Sequence, residues 1–148
     1  MVEKLIQEIG DTCIFESQNQ FCVTHRGQVV VPYGKYAWID KFDNGLARVR
    51  TAGLTNAGGF VVHLIPVDEP QPNDGETTQT RYYKEREDHP ERFAKWGIIN
   101  EQGEEVLPLE YDEVWNFYGK NRKSTYVEKN KQAWDFILSN CSLIPHRG

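Results

Sequence analysis

Gly97-Ile98-Ile99-Asn100-Glu101-Gln102-Gly103-Glu104-Glu105-Val106-Leu107-Pro108 decides how this chain folds. Apolar residues lead into a polar turn ending in Gly, an apolar run follows, and Pro closes it. Phe21-Cys22-Val23-Thr24-His25-Arg26-Gly27-Gln28-Val29-Val30-Val31-Pro32 repeats the pattern at a constant offset of 76 residues. Each copy predicts a β-hairpin. The turns Thr24–Gly27 and Asn100–Gly103 suit a type I turn closed by a residue at positive φ, which Gly adopts with no Cβ clash. The Asn100 side chain can cap such a turn. Val29–Val31 and Val106-Leu107 are the returning strands. Pro32 and Pro108 remove a ladder donor, so each strand stops there or runs along an edge.

The copies stay similar downstream. Tyr36, Ile39 and Phe42 follow Pro32, and Tyr111, Val114 and Phe117 follow Pro108. Asn44-Gly45 marks a turn. The strand after it alternates, with Leu46, Arg48 and Arg50 on one face and Ala47 and Val49 on the other. Ser124-Thr125-Tyr126-Val127-Glu128 takes the matching place. A third, truncated copy starts at Trp134, where Trp134-Asp135-Phe136-Ile137-Leu138 matches Trp96-Gly97-Ile98-Ile99-Asn100. The Trp residues Trp96 and Trp134 read as core between hairpins.

Lys95-Trp96-Gly97-Ile98-Ile99-Asn100-Glu101-Gln102-Gly103-Glu104-Glu105-Val106-Leu107-Pro108, followed by Tyr111-Asp112-Glu113-Val114, resembles a repeat of the WG (KWG) repeat family. Gly45-Leu46-Ala47-Arg48-Val49 is similar to the closing strand of such a repeat. The resemblance spans residues 20–138, with a long insertion. Gln20-Phe21 stands where Trp-Gly belongs, which marks the first copy as degenerate or capping. The third copy keeps Trp134 but has Asp135 for Gly. The resemblance implies a β-rich array of stacked hairpins, no general enzymatic activity, and a binding or interaction role.

The chain divides accordingly. Residues 1–19 form an N-terminal helix or strand cap, where Val2, Leu5, Ile6 and Ile9 follow helical spacing and predict a short helix. Residues 20–53 are the degenerate repeat, 54–94 the insertion, 95–131 the second repeat, and 132–148 a partial third repeat and tail. Within the insertion, 60–65 predicts an extra strand, 66–80 a loop rich in Pro and Thr, and 81–88 a helical turn or two. Asp88 is placed to cap a short helix through Ala94. The fold class is mainly β, with about five to eight short antiparallel strands, because a lone hairpin is marginal and stacked repeats bury one another's faces.

Composition bounds the function. The chain has 148 residues, 39% of them apolar, with four Trp, seven Tyr and seven Phe to build a core. No apolar run approaches the ~18 residues of a membrane span, and the first residues lack the apolar stretch of a secretory signal. Three Cys (Cys13, Cys22 and Cys141) read as reduced thiols in a cytosol and as small apolar filler, with no zinc-binding spacing. The net charge of −5 disfavours a global nucleic-acid binder, which would require a local basic patch. Acids outnumber bases eight to four over residues 68–92.

No nucleophile elbow, phosphate loop, zinc-protease helix or dinucleotide fingerprint occurs. The four His are scattered, and a metal site or a Cys22–His63 pair would need long-range convergence. No catalytic residue, metal ligand or cofactor is therefore assigned. The densest polar-aromatic run is Trp115-Asn116-Phe117-Tyr118-Gly119-Lys120-Asn121-Arg122-Lys123. Its plain reading anchors Trp115 and Phe117 on the core and leaves Lys120–Lys123 solvated; the alternative is a ligand or partner surface. A second candidate is the positive face of Lys41, Arg48 and Arg50, open to an anion unless the acidic 68–92 segment folds over it. The binding set is Trp115, Tyr118, Lys120, Arg122, Arg48 and Arg50. The favoured expectation is a non-catalytic module that binds a protein partner, of the immunity, antitoxin or adaptor type, its acidic stretch suiting a basic partner. The alternative is a sequestering protein for a small anionic or nucleotide-like ligand. Neither a membrane nor a nucleic acid is expected as partner.

Overall fold

The computed structural model describes residues 2–57, 60–61 and 84–146. It divides into two units: Met1–Thr51 with Lys95–Gly148, and Ala52–Ala94.

The first unit consists of three four-stranded antiparallel meanders. The first sheet runs β1 (Lys4–Ile9), β2 (Thr12–Ser17), β3 (Gln20–His25) and β4 (Gln28–Val31). The second opens with β5 (Trp38–Ile39) and β6 (Leu46–Arg50). The second unit, with β7 (Asn56–Ala57) and β8 (Phe60–Val61), then intervenes before β9 (Trp96–Asn100) pairs with β6 and β10 (Glu105–Tyr111) pairs with β9. The third sheet is β11 (Glu113–Val114), β12 (Ser124–Lys129), β13 (Gln132–Ile137) and β14 (Ser142–Pro145). The fold is mainly β, as the hairpin pattern requires, but it has more strands than the five to eight expected. Each sequence repeat straddles two sheets: β3–β4 with β5–β6, and β9–β10 with β11–β12.

Register explains how the sheets cement one another. Cross-strand partners share a face, and neighbours along a strand face opposite ways. Ile14, Val23 and Val31 form one row across the first sheet. They pack with Tyr36, Ile39, Phe42, Ala47, Val49 and Ile99 in one buried cluster. Leu46, Ile98, Leu107 and Tyr111 instead join Val114, Phe117, Val127, Phe136 and Leu138 in a second. The middle sheet is thus buried on both faces, with Ala47, Val49 and Ile99 on one and Leu46 and Ile98 on the other. The matched trios Tyr36–Ile39–Phe42 and Tyr111–Val114–Phe117 each serve one cluster. Trp96 and Trp134 pack half-buried against the second cluster.

Polar ties join the first two sheets. The Gln7 side chain pairs with the Phe42 backbone as a strand would: Phe42 N donates to Oε1 at 2.7 Å, and Nε2 donates to Phe42 O at 3.0 Å. Thr12 Oγ1 donates to Glu101 Oε1 at 2.8 Å, and Tyr36 Oη donates to Glu105 Oε2 at 2.8 Å. Burial, then that bond to Glu105, pushes the Tyr36 phenol well above its ordinary range.

The two hairpin turns differ. At Asn100–Gly103 the expected geometry holds: Gly103 lies at φ +81°, its N donates to Asn100 O at 3.0 Å, and Asn100 Oδ1 accepts from Gln102 N and Glu104 N. In the first copy His25 pairs directly with Gln28, and Arg26 and Gly27 both take positive φ, at 52° and 79°. That is a tighter two-residue turn, whose twist matches the strands it joins. Pro32 follows the last residue of β4. Pro108 lies inside β10, which is an edge strand.

β10 also accounts for Gly97. Leu107 pairs with Ile98 and Tyr111 with Trp96, so Pro108, Leu109 and Glu110 together stand against Gly97. A Cβ on Gly97 would lie 2.7 Å from Leu107 O and 3.1 Å from Leu109 Cα, both backbone atoms. Gly97→Ala is therefore expected to cost about 1–3 kcal/mol, the usual cost of overpacking a core. Urea unfolding checks it: a midpoint at the wild-type value would mean that β10 does not pass over Gly97 as described.

The N-terminal helix is replaced by a strand. β1 pairs with β2 from Lys4↔Glu16 to Ile9↔Thr12, with a register shift between Leu5 and Gln7. Leu5 and Ile9 are exposed, whereas Ile6 packs on the first cluster, so the four apolar residues do not share a helical face. The tail after residue 131 completes the third sheet. Cys141, 38 residues after Gly103, takes the same left-handed turn position at φ 57°.

In the second unit β7 pairs with β8, and Leu54 bridges Phe93, with Leu54 N donating to Arg92 O at 2.9 Å and Ala94 N to Leu54 O at 3.0 Å. Residues 84–88 are helical. Asp88 caps no helix: Pro90–Arg92 forms a single 3-10 turn behind His89, with no side-chain cap. Pro90 fixes φ and starts that turn by itself. The expected strand beyond Val61, the loop 66–80 and residues 81–83 lie outside the described residues, as does His63.

Candidate functional site

The positive face read from β6 is built, and within it Arg48 is committed to other groups of the protein. Arg48 and Arg50 do share a face, opposite Ala47 and Val49. Arg48 Nε and Nη2 both reach Asp40 Oδ2 at 2.9 Å, and Nη1 donates to Val114 O at 2.8 Å. Its guanidinium lies 4.8 Å from the Trp96 ring centroid and 5.8 Å from that of Trp38. Arg48 is thus saturated by a carboxylate, a carbonyl and two ring faces, and it ties β6 to β11. Lys41 is exposed, and only its backbone N meets Asp40.

Arg50 differs. It pairs across the sheet with Trp38 on β5 and with Trp96 on β9, and Trp96 pairs with Tyr111 on β10. The row Trp38–Arg50–Trp96–Tyr111 therefore crosses all four strands on one face. The Arg50 guanidinium sits 5.7 Å from the Trp38 centroid and 5.8 Å from that of Trp96, and the two indoles meet edge to face at 6.0 Å. Its side chain makes one hydrogen bond among the described residues, from Nη1 to the adjacent Thr51 carbonyl at 3.2 Å. Among the described residues no carboxylate pairs with it. Burial, and then the neighbouring Arg48 charge, hold this guanidinium below its ordinary value. Beyond the row, Trp134 meets Tyr111 edge to face at 6.1 Å, and Lys129 stands 5.7 Å over Tyr111.

The 115–123 loop lies elsewhere. Phe117 is buried and anchors it, as expected; Trp115 does not, being 55% exposed. The Asn44 side chain donates to Phe117 O at 3.2 Å, and Gly119 N donates to Asp43 Oδ2 at 3.0 Å, fixing the loop to the β5–β6 connection. The Trp115 ring lies tilted on Tyr126 at 4.8 Å, and Tyr126 meets His146 edge to face at 5.1 Å. His146 Nδ1 is 2.9 Å from Asp135 Oδ1. Tyr126 pairs with Asp135, and Asp135 with the exposed Ile144. These residues occupy the face of the third sheet opposite Val127 and Phe136. Tyr118 is 45% exposed, Lys120 is exposed, and Arg122 is exposed with Nε donating to Ser124 O at 3.0 Å.

The six residues named from sequence thus fall into two places. Arg48 and Arg50 face the second cluster from the middle sheet. Trp115, Tyr118, Lys120 and Arg122 belong to the loop and the far face of the third sheet. Sequence reading missed Trp38, Asp40, Tyr126 and His146, whose placement follows from cross-strand register rather than from any local pattern. The three thiols are free; burial pushes those of Cys22 and Cys141 upward, with the Glu3 carboxylate adding to the effect at Cys22. No helix among the described residues is long and apolar enough to cross a membrane.

Residues 22–54 and 96–122 match the family model described as WG containing repeat. The first segment runs from β3 into the Leu54 bridge, and the second from β9 into the 115–123 loop. No curated protein and no solved structure matches the chain.

Proposed function

We propose that this WG-repeat protein is a non-catalytic interaction module that binds a protein partner through the outer face of its third sheet, in the manner of an immunity, antitoxin or adaptor protein. The observation that carries the reading is Trp115: a large aromatic ring held on Tyr126 yet 55% exposed. A Trp whose rotamer is fixed by stacking loses little entropy on docking, and such rings anchor interfaces. Ile144 and His146 extend the apolar area, and Tyr118 flanks it along the loop. Lys120, Arg122 and Lys123 follow in the same loop, and no acid lies between residues 115 and 123. This rim suits a partner that presents acidic side chains beside an apolar pocket.

Co-purification from the source cell with stoichiometry read by native mass spectrometry tests it. Trp115→Ala is expected to weaken the partner by about 30-fold or more, the effect of truncating an interface anchor at ~2 kcal/mol. Arg122→Ala should act mainly through association rate and salt dependence. A partner retained equally by Trp115→Ala and wild type would reject this face.

A further inference from the structure

We propose that the Trp38–Arg50–Trp96 row is an oxyanion-binding site, taking a small molecule that bears a carboxylate or phosphate group for Arg50 to grip at two oxygens. This goes beyond the Trp115 surface and does not rest on it. Each of two guanidinium groups lies within 5.8 Å of both indole centroids, the indoles lie 6.0 Å apart, and among the described residues one carboxylate, Asp40, pairs with either guanidinium. Asp40 is taken by Arg48 at two nitrogens. One positive charge is left over, on Arg50, in a half-buried place walled by aromatic rings. Taking a guanidinium out of water without a counterion is unfavourable, and the ring faces offset only part of that. Four of its five N–H groups make no hydrogen bond to described residues, and the Trp38 and Trp96 indole N–H groups make none either. The guanidinium fork matches two coplanar oxygens of a carboxylate or phosphate, and the flanking indoles offer stacking area to a flat ligand body. Asp40 and the Val114 carbonyl fix the Arg48 guanidinium, which in turn packs on the Trp96 and Trp38 rings, so both rings are braced before a ligand arrives.

The site carries its own reporters, since Trp38 and Trp96 both emit. The full chain is titrated with inorganic phosphate and with benzoate, against chloride at matched ionic strength, reading tryptophan emission and thermal midpoint. A saturable change with phosphate or benzoate and none with chloride is expected. A response to phosphate alone or benzoate alone identifies the group that binds. Arg50→Gln should weaken it by at least about tenfold, and Arg50→Lys, which keeps the charge but loses the fork, by an intermediate factor. Lys4→Gln, at an exposed position of β1, should leave it unchanged. Circular dichroism confirms the fold of each variant; if Arg50→Gln does not fold, Arg50→Lys decides. No saturable response to either probe, a response that chloride reproduces, or undiminished binding in the folded Arg50 variants would overturn the proposal.

Discussion

Gly103→Val is expected to lower stability by roughly 2–6 kcal/mol, combining backbone strain and overpacking at about 1–3 kcal/mol each. The strain arises because Gly103 sits at φ +81°, where a β-branched residue is rarely found. The packing part arises because its Cβ would lie 2.7 Å from Val30 O and 3.0 Å from Val30 Cβ. Val30 follows β3's turn in the first sheet, whereas Gly103 closes the β9–β10 turn of the second. The substitution therefore presses two repeats apart as well as bending one. Gly27→Val separates the two causes. Gly27 has nearly the same φ, +79°, but nothing within 4 Å of its would-be Cβ, so only the strain should appear. Urea unfolding at constant m measures both, and for a chain of this size each kcal/mol moves the thermal midpoint by about 2–4 °C. Equal losses in the two variants would mean that the Gly103–Val30 approach contributes nothing.

That contrast also shows what a sequence can and cannot carry here. The hairpins were legible because their signals are local: a polar turn, a Gly at positive φ, a Pro where a ladder donor is unwanted. The trio Tyr36–Ile39–Phe42 and its counterpart Tyr111–Val114–Phe117 were legible as equivalents, and all six are buried. β1 was misread because Val2, Leu5, Ile6 and Ile9 fit a helical period, while a register shift at Ile6 breaks the two-residue alternation that would have revealed a strand. The loss of Gly in the outer copies looked like decay or capping. Its cause is geometric: β4 ends at Val31, paired to Val23, so no ladder residue of β4 stands against Phe21, and Asp135 pairs with Ile144 in a regular ladder. Only Gly97 lies under a bulging strand. The 115–123 run announced aromatics but not which ones are buried; strand parity decides that, setting Tyr126 on the face away from Val127 and giving Trp115 a platform outside the core. The Trp38–Arg50–Trp96 row was the least legible. Its outer members are 58 residues apart, and only the pairing of β5, β6 and β9 aligns them.

Asp40→Ala is the other substitution with a large expected effect, about 3 kcal/mol, the low end of the 3–5 kcal/mol for breaking a buried pair because the groups keep some exposure. The Arg48 and Asp40 side chains are 16% and 9% exposed, and both Arg48 contacts to Asp40 are 2.9 Å long. Removing the carboxylate leaves Arg48 and Arg50 side by side against Trp38 and Trp96, with no carboxylate partner among the described residues, so two like charges must be solvated by rings and carbonyls. The loss should consist largely of that uncompensated charge rather than of the ion pair's own net worth. Combining Asp40→Ala with Arg48→Met tests this. Met keeps contact with the Trp96 face and removes the stranded cation, so the double variant should recover most of the stability. It should fall short by about 1 kcal/mol for the lost hydrogen bond to Val114 O. A double-mutant cycle reads the coupling directly. If Asp40→Ala alone costs no more than the ~0–1 kcal/mol of an exposed pair, Arg48 is held by its rings and by Val114, and the carboxylate is incidental.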